Sequence, residues 1–261
     1  MPEGDTVWRA CKRLNQALSG QELLRTDFRV PSLATTDLSG RTILEVVARG
    51  KHILMRISGG LTLHSHFRME GSWHLYRPGE RWRGGPSHEI RIVLEAAPWT
   101  AVGYRLPVLE LVATDDEDSV VGHLGPDVLA PSFDRAVAIA NVEADPSRSI
   151  SEALLDQRNL AGIGNFYRNE VCFLLGLHPW RPVSQVDVPV AIDLSRKLMK
   201  ANLRNAAQVS TGVDRPGQRT WVFERAGKPC RRCGTTILTG QLGEATRERV
   251  TYWCPACQPE N

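Results

Sequence analysis

The chain has 261 residues, 42% hydrophobic and 23% charged, with a formal charge of +3 at pH 7. That length favours two domains, or one plus a small module, and that composition excludes a disordered or fibrous chain. Its apolar stretches are too short to span a bilayer, which excludes a transmembrane helix.

The opening segment, MPEGDTVWRA, carries an acidic pair and no apolar run, so no secretory signal is expected and the cytoplasm is the expected compartment. Pro2 draws attention first. Removal of Met1 would leave a secondary amine at the terminus, and a neutral amine can attack a sugar or aldehyde carbon to give an iminium. A terminal amine titrates near roughly 8 against roughly 10.4 for lysine, so more of it is nucleophilic at neutral pH. Asp5 is expected to cap a helix with Val7, Cys11, Leu14 and Leu18 on one face, closed by Gly20.

From Leu23 to about Val121 the pattern becomes one of short β-branched runs separated by Gly or Pro. The runs are Thr42–Val47, His52–Ile57, Leu61–Leu63, Ile90–Leu94 and Val108–Val112. They predict an antiparallel sandwich with the N-terminal helix packed on it. His64 and His66 share a strand face there; a metal pair is conceivable, but no third ligand is evident. Asp115–Asp118 is expected to be an acidic loop. The segment Leu124–Ser132, with Gly125, Pro126 and Pro131, reads as a linker.

Beyond it the period is helical, over Phe133–Asn141, Ile150–Leu155, Asn165–Leu175 and Val190–Ala207. Before the third of these lies Gln157-Arg-Asn-Leu-Ala-Gly-Ile-Gly-Asn165. Two glycines there free the backbone to approach a ligand, and a helix N-terminus offers N–H groups and a positive dipole end to a phosphate. Asn165 is placed to cap that helix or to donate to the anion, although a plain tight turn fits the same residues.

Short strands return from Thr220 onward, around two C-x-x-C pairs, Cys230/Cys233 and Cys254/Cys257, separated by 20 residues. In a reducing compartment this spacing reads as four thiolates around one tetrahedral zinc. Cys11 and Cys172 fall on apolar helical faces and are expected to be buried, inert thiols. The charge is lopsided: Asp214–Asn261 holds eight Lys/Arg and five Asp/Glu, while the remaining residues balance at 24 of each sign. Such asymmetry suits a polyanionic partner without demanding one.

Four motifs in order resemble the formamidopyrimidine-DNA glycosylase / endonuclease VIII family, over essentially the whole chain. They are Met-Pro-Glu-Gly at 1–4, Gly-Lys-His at 50–52, Leu-Ala-Gly-Ile-Gly-Asn-Phe-Tyr at 160–167, and the ribbon ending Tyr-Trp-Cys-Pro-Ala-Cys-Gln at 252–258. The resemblance implies an α+β protein of two lobes. An N-terminal antiparallel β-sandwich with a helix (1–123) would be followed by the linker (124–132). A helix–two-turn–helix domain (133–219) and a four-cysteine zinc-ribbon hairpin (220–261) would complete it. DNA would lie between the lobes with the damaged nucleotide rotated out, since its C1′ is otherwise out of reach.

The resemblance also implies roles. Pro2 would attack C1′, and Glu3 would move protons during ring opening and elimination. Lys51 and His66 would grip damaged-strand phosphates, joined by Asn165 and by Arg249, which stands five residues before Cys254. Met69 would enter the gap left by the extruded base, with a core position as the competing reading. Zinc would be structural, because four thiolates leave no open position. The implied activity is removal of oxidised bases, pyrimidines favoured, followed by β,δ-elimination on a monomer. Double-stranded DNA is the expected substrate, single-stranded DNA stays open, and nucleoid association would come through DNA binding.

Two departures from the family pattern bear on specificity. Asp5-Thr6 replaces the usual Pro-Glu, removing a carboxylate near the lesion pocket, and the Arg-x-Phe wedge has no clear counterpart near the acidic loop. They lower the expectation of 8-oxoguanine or formamidopyrimidine excision and motivate an alternative, a non-catalytic binder of abasic or damaged DNA.

Overall fold

The computed structural model describes residues 2–243 and 249–260. Two compact units divide the chain, Met1–His123 and Leu124–Asn261.

The first unit opens with α1 (Gly4–Leu18), whose buried face of Val7, Cys11, Leu14 and Leu18 follows the helical spacing. Its N-cap is Glu3; Asp5 lies in the first turn and pairs with Arg9 at 3.1 Å, so the expected cap is displaced by two residues. A carboxylate in the first turn still favours the positive end of the helix dipole.

Eight strands follow, β1 (Leu23–Phe28), β2 (Ile43–Arg49), β3 (His52–Ile57), β4 (Leu61–His66), β5 (Ser72–Tyr76), β6 (Ile90–Ala96), β7 (Trp99–Tyr104) and β8 (Val108–Ala113). They form two antiparallel four-stranded sheets, ordered β1-β6-β7-β5 and β2-β3-β4-β8. The shared core joins Leu23, Phe28, Ile92 and Leu94 of one sheet to Ile43, Val46, Ile53, Met55 and Leu63 of the other, with Val7, Leu14 and Leu18 of α1. Each such fully buried aliphatic contributes about 1.5–3 kcal/mol relative to exposure. The expected sandwich with its packed helix is present, with β1, β5 and β7 added to the anticipated runs.

The helix and β2 run antiparallel. Asn15 Oδ1 accepts from Val46 N at 2.7 Å, Ser19 Oγ donates to the Leu44 carbonyl at 2.7 Å, and Gly20 N donates to that of Ile43 at 2.8 Å. Going back from Asn15 to Glu3 covers about 18 Å of helix, and going forward from Val46 to Lys51 covers about 17 Å of strand. The start of α1 and the β2–β3 turn therefore reach the same end of the unit.

Segment 114–123 is not an open acidic loop. A 3-10 turn (Thr114–Asp116) leads into α2 (Asp118–Val121). Glu117 is clamped by Arg56 through Nε and Nη2 at 2.8 Å each and accepts from Thr62 Oγ1 at 2.7 Å.

The second unit contains α3 (Arg135–Glu143), α4 (Ile150–Leu155), α5 (Asn165–Leu174), α6 (Val188–Asn202) and the hairpin β9 (Leu238–Leu242)/β10 (Arg249–Trp253). Asp134, Ser149 and Asp187 cap the N-termini of α3, α4 and α6 with side-chain oxygens. The segment read as a linker is packed into this unit: Leu124, Val128 and Leu129 are buried, and Asp127 bridges to Ala161. Among the described residues no helix is long and apolar enough to cross a membrane.

Candidate functional site

In the first unit the candidate groups come from three connections. Pro2 is half-buried and Glu3 wholly buried at the entrance of α1. Glu3 is extended, at φ −116° and ψ −177°, and its carbonyl accepts from Val7 N, which fixes the chain's angle of entry. Lys51 lies in the two-residue turn of the β2–β3 hairpin, where Arg49 pairs with His52. Gly50 takes φ 60° there, the positive value that a tight hairpin turn asks of its first central residue. Lys51 is thus carried on a stiff turn at the end of the unit where α1 begins.

His66 ends β4, and its Nδ1 accepts from the backbone N–H of Arg68 at 2.8 Å. In the neutral ring the proton is then on Nε2, which leaves that nitrogen a donor. Burial, with Arg68 and Lys51 adding to it, brings the His66 pKa down to about 4, so this imidazole acts as an uncharged donor at neutral pH. Met69 follows in a turn where Arg68 adopts φ 50°. Its side chain is 61% exposed, so the core reading fails and an apolar side chain is offered to solvent.

In the second unit the Gly-rich connection behaves as the sequence suggests at one point and not at another. Gly162 takes φ 110°, and its N–H donates to Gln157 Oε1 at 3.0 Å, closing the turn. The N-cap of α5 is Gly164, so Asn165 is the first helical residue instead of the cap. The Asn165 side chain is buried; its Nδ2 donates to the Val250 carbonyl at 3.0 Å and its Oδ1 accepts from Arg168 and Asn169. Arg249 is exposed at the start of β10, paired with Leu242. The same helix therefore holds the residue beside Arg249.

Glu170 went unnoticed in the sequence. It is wholly buried in α5 and accepts from Ser210 Oγ and from the backbone N–H groups of Trp221, Val222 and Phe223, the last three at 2.7–2.9 Å. Burial pushes its carboxyl up, and the four donors oppose that. The clasp ties α5 to the segment leading into the cysteines. Its place just before the apolar run Val171–Leu174 was the one available signal.

The four cysteine sulfurs lie within 4.8 Å of one another. Cys233 Sγ stands 3.4 Å from Cys254 and 3.5 Å from Cys257, and Cys230 Sγ 3.9 Å from Cys257. These separations exceed a disulfide bond. They bracket the roughly 3.8 Å expected between thiolates at 2.3 Å around a tetrahedral ion. The set can hold one metal ion, closed to further ligands. Cys11 and Cys172 are buried, and burial pushes the Cys172 thiol up.

Residues 1–105 match the family model described as the formamidopyrimidine-DNA glycosylase N-terminal domain, and residues 124–214 that described as the formamidopyrimidine-DNA glycosylase H2TH domain. The chain belongs to the formamidopyrimidine-DNA glycosylase family. Within it, a probable endonuclease 8 2 of Streptomyces coelicolor is 55% identical, over 99% of this chain and 94% of the relative. The DNA-(apurinic or apyrimidinic site) lyase Nei2 of Mycolicibacterium smegmatis is 45% identical over 99% of both chains. Endonuclease 8 of Escherichia coli is 30% identical over 99% of this chain and 100% of its own length. Among solved structures, Lactococcus lactis Fpg in complex with abasic-site DNA superposes with a TM-score of 0.82 at 23% identity, covering 99% of this chain and all of that one. At that identity the likeness is one of fold: antiparallel sheets, a helical H2TH domain and a terminal cysteine cluster.

Proposed function

We propose that this member of the glycosylase family is a bifunctional DNA glycosylase / abasic-site lyase that acts on oxidised bases, pyrimidines foremost. One observation carries the assignment: buried Glu3 and half-buried Pro2 open α1 at the end of the unit that also presents Lys51. Family membership and the names of the relatives, endonuclease 8 and abasic-site lyase, support it.

With Met1 removed, the Pro2 nitrogen attacks C1′ of the flipped nucleotide. The N–C1′ bond forms, the glycosidic bond breaks, and the base leaves with a proton. The C1′–O4′ bond then breaks, O4′ takes a proton, and the resulting iminium acidifies C2′–H. Loss of that proton expels the 3′ phosphate, and a second elimination expels the 5′ phosphate. Glu3, in a dry site, handles the proton transfers at the opening sugar. Lys51 and His66 in the first unit, and Asn165 and Arg249 in the second, hold phosphates, and Met69 fills the vacated stack. The cysteines hold one structural zinc, with no part in bond making.

The motive for a non-catalytic binder weakens, because Glu117 of the acidic segment is engaged with Arg56. Thr6 accepts from Arg9, which also pairs with Asp5, so the first turn is internally bonded. Borohydride reduction with abasic-site DNA tests the reading. The protein should be captured covalently through residue 2 and should nick the strand. Capture undiminished by acetylation of the terminus would remove Pro2 as nucleophile. Binding without capture or nicking would favour the binder.

A further inference from the structure

Register in the second sheet gathers histidines that are far apart in sequence. His52 sits directly across from His66, and His64 directly across from Glu110. His52 and His64 stack with centroids 5.0 Å apart, and His66 and His123 stand edge-on to His52 at 4.8 and 5.9 Å. His64 Nδ1 is 2.7 Å from Glu110 Oε1, and His64 Nε2 is 2.8 Å from His52 Nδ1.

The protons in this row follow from its one member that only accepts. The Glu110 carboxylate accepts from His64 Nδ1–H, so His64 accepts at Nε2 and His52 donates from Nδ1. The row ends on a lone pair at His52 Nε2. His66, His123 and Arg68 act on the His52 ring, Lys51 acts on His66, and Arg49 is the β2 partner of His52. Burial, then the neighbouring imidazoles and Arg68, lower the His52 pKa to about 3, so the His52 ring is uncharged at neutral pH. Its ring nitrogens do not converge as metal ligands would; among the described residues only the cysteines do.

We propose that this cluster is a proton-linked phosphate site: a DNA phosphate docks at Lys51 and His66, and His52 Nε2, held in register by His64 and Glu110, takes up one proton from solvent as it docks. The proposal rests on the phosphate-gripping reading of Lys51 and His66. An arriving anion favours the charged form of a nearby imidazole. Protonation leaves the His52-to-His64 hydrogen bond intact, and Glu110 balances the added charge at the far end. A group whose pKa is raised in the complex adds affinity below its free value and loses it as pH rises through its bound value. Binding should therefore tighten on acidification from the bound value down toward about 3, the free value of His52.

Calorimetry of a duplex carrying a tetrahydrofuran abasic analogue, in buffers of different ionisation enthalpy, tests this. Wild type should take up about one proton near pH 6. His52→Gln should abolish the uptake, and Glu110→Gln, at a half-exposed position, should reduce it with folding preserved. Heat independent of buffer, with binding intact, overturns the linkage and leaves the proposed function standing; absence of binding removes both. Two-bond imidazole nitrogen spectra of the free protein give a second readout. Protons on Nδ1 of His52 and His64 and on Nε2 of His66 are expected, and an Nε2-protonated His64 overturns the relay.

Discussion

The side-chain amide of Asn165 donates to the carbonyl of Val250, the residue next to Arg249, at 3.0 Å. The first residue of α5 thereby fixes the strand that presents a cation. If Asn165 works through Arg249, Asn165→Ala should weaken abasic-DNA binding about tenfold, near 1.4 kcal/mol. The Asn165→Ala/Arg249→Ala double variant should then lose little beyond Arg249→Ala alone. Fluorescence anisotropy of all four proteins closes the cycle, and additive losses would give each residue its own contact.

Glu170 gathers three backbone N–H groups and a hydroxyl in a wholly buried place. Each donor left unpaired costs about 1–3 kcal/mol, so Glu170→Ala should destabilise the second unit by at least about 3 kcal/mol. Urea unfolding followed through tryptophan fluorescence measures it, since Trp221 lies in the clasped segment. A change below 1 kcal/mol (about one weak hydrogen bond) would mean that water replaces the carboxylate.

Arg56, and with it Thr62, holds the Glu117 carboxyl below its ordinary value of 4.5. A depressed acid stabilises the fold above its unfolded value, and that contribution fades as pH falls through the folded one. Glu117→Gln should therefore cost about 1–2 kcal/mol at pH 7, after allowance for partial exposure. The gap should hold above the unfolded carboxylate value of about 4.3 and close as pH falls below it, through the depressed folded value. Thermal melts across pH test this, and a constant gap would contradict it.

The purified protein should carry one zinc per chain, detectable by elemental analysis, with no visible absorption. Chelation, or Cys254→Ser, should unfold the hairpin and abolish DNA binding, because metal binding and folding are coupled in such modules. A chelated protein that still binds abasic DNA with unchanged affinity would separate the ribbon from recognition.

Much of this organisation is visible in the chain itself, and what escaped did so for identifiable reasons. Short runs rich in β-branched residues mark β2 and β3, and paired cysteines mark a metal site whose sulfurs do converge. The strands β5 and β7 hold Trp, His, Gly and Thr in place of a clean alternation. In β7 the last four residues are buried on both faces, which removes the period of two. Helix α6 starts earlier than its periodicity suggests because Asp187 caps it and Pro189 occupies the first turn, where proline is tolerated. The histidine cluster depends on strand register: no spacing along the chain announces that His52 faces His66 or that His64 faces Glu110. Glu170 was hidden by its charge, since a carboxylate on a helix is ordinarily assigned to solvent.

The antiparallel seating of α1 on β2 has a mechanical corollary. Asn15 and Val46 act as the pivot of two rigid arms, about 18 and 17 Å long, whose tips carry the chain's opening residues and Lys51. A small tilt at that pivot is magnified at the tips, and a 1 Å misplacement of reacting groups can cost about a hundredfold in rate. A near-isosteric change such as Asn15→Leu, remote from any sugar, would then slow catalysis while leaving every reactive side chain chemically intact.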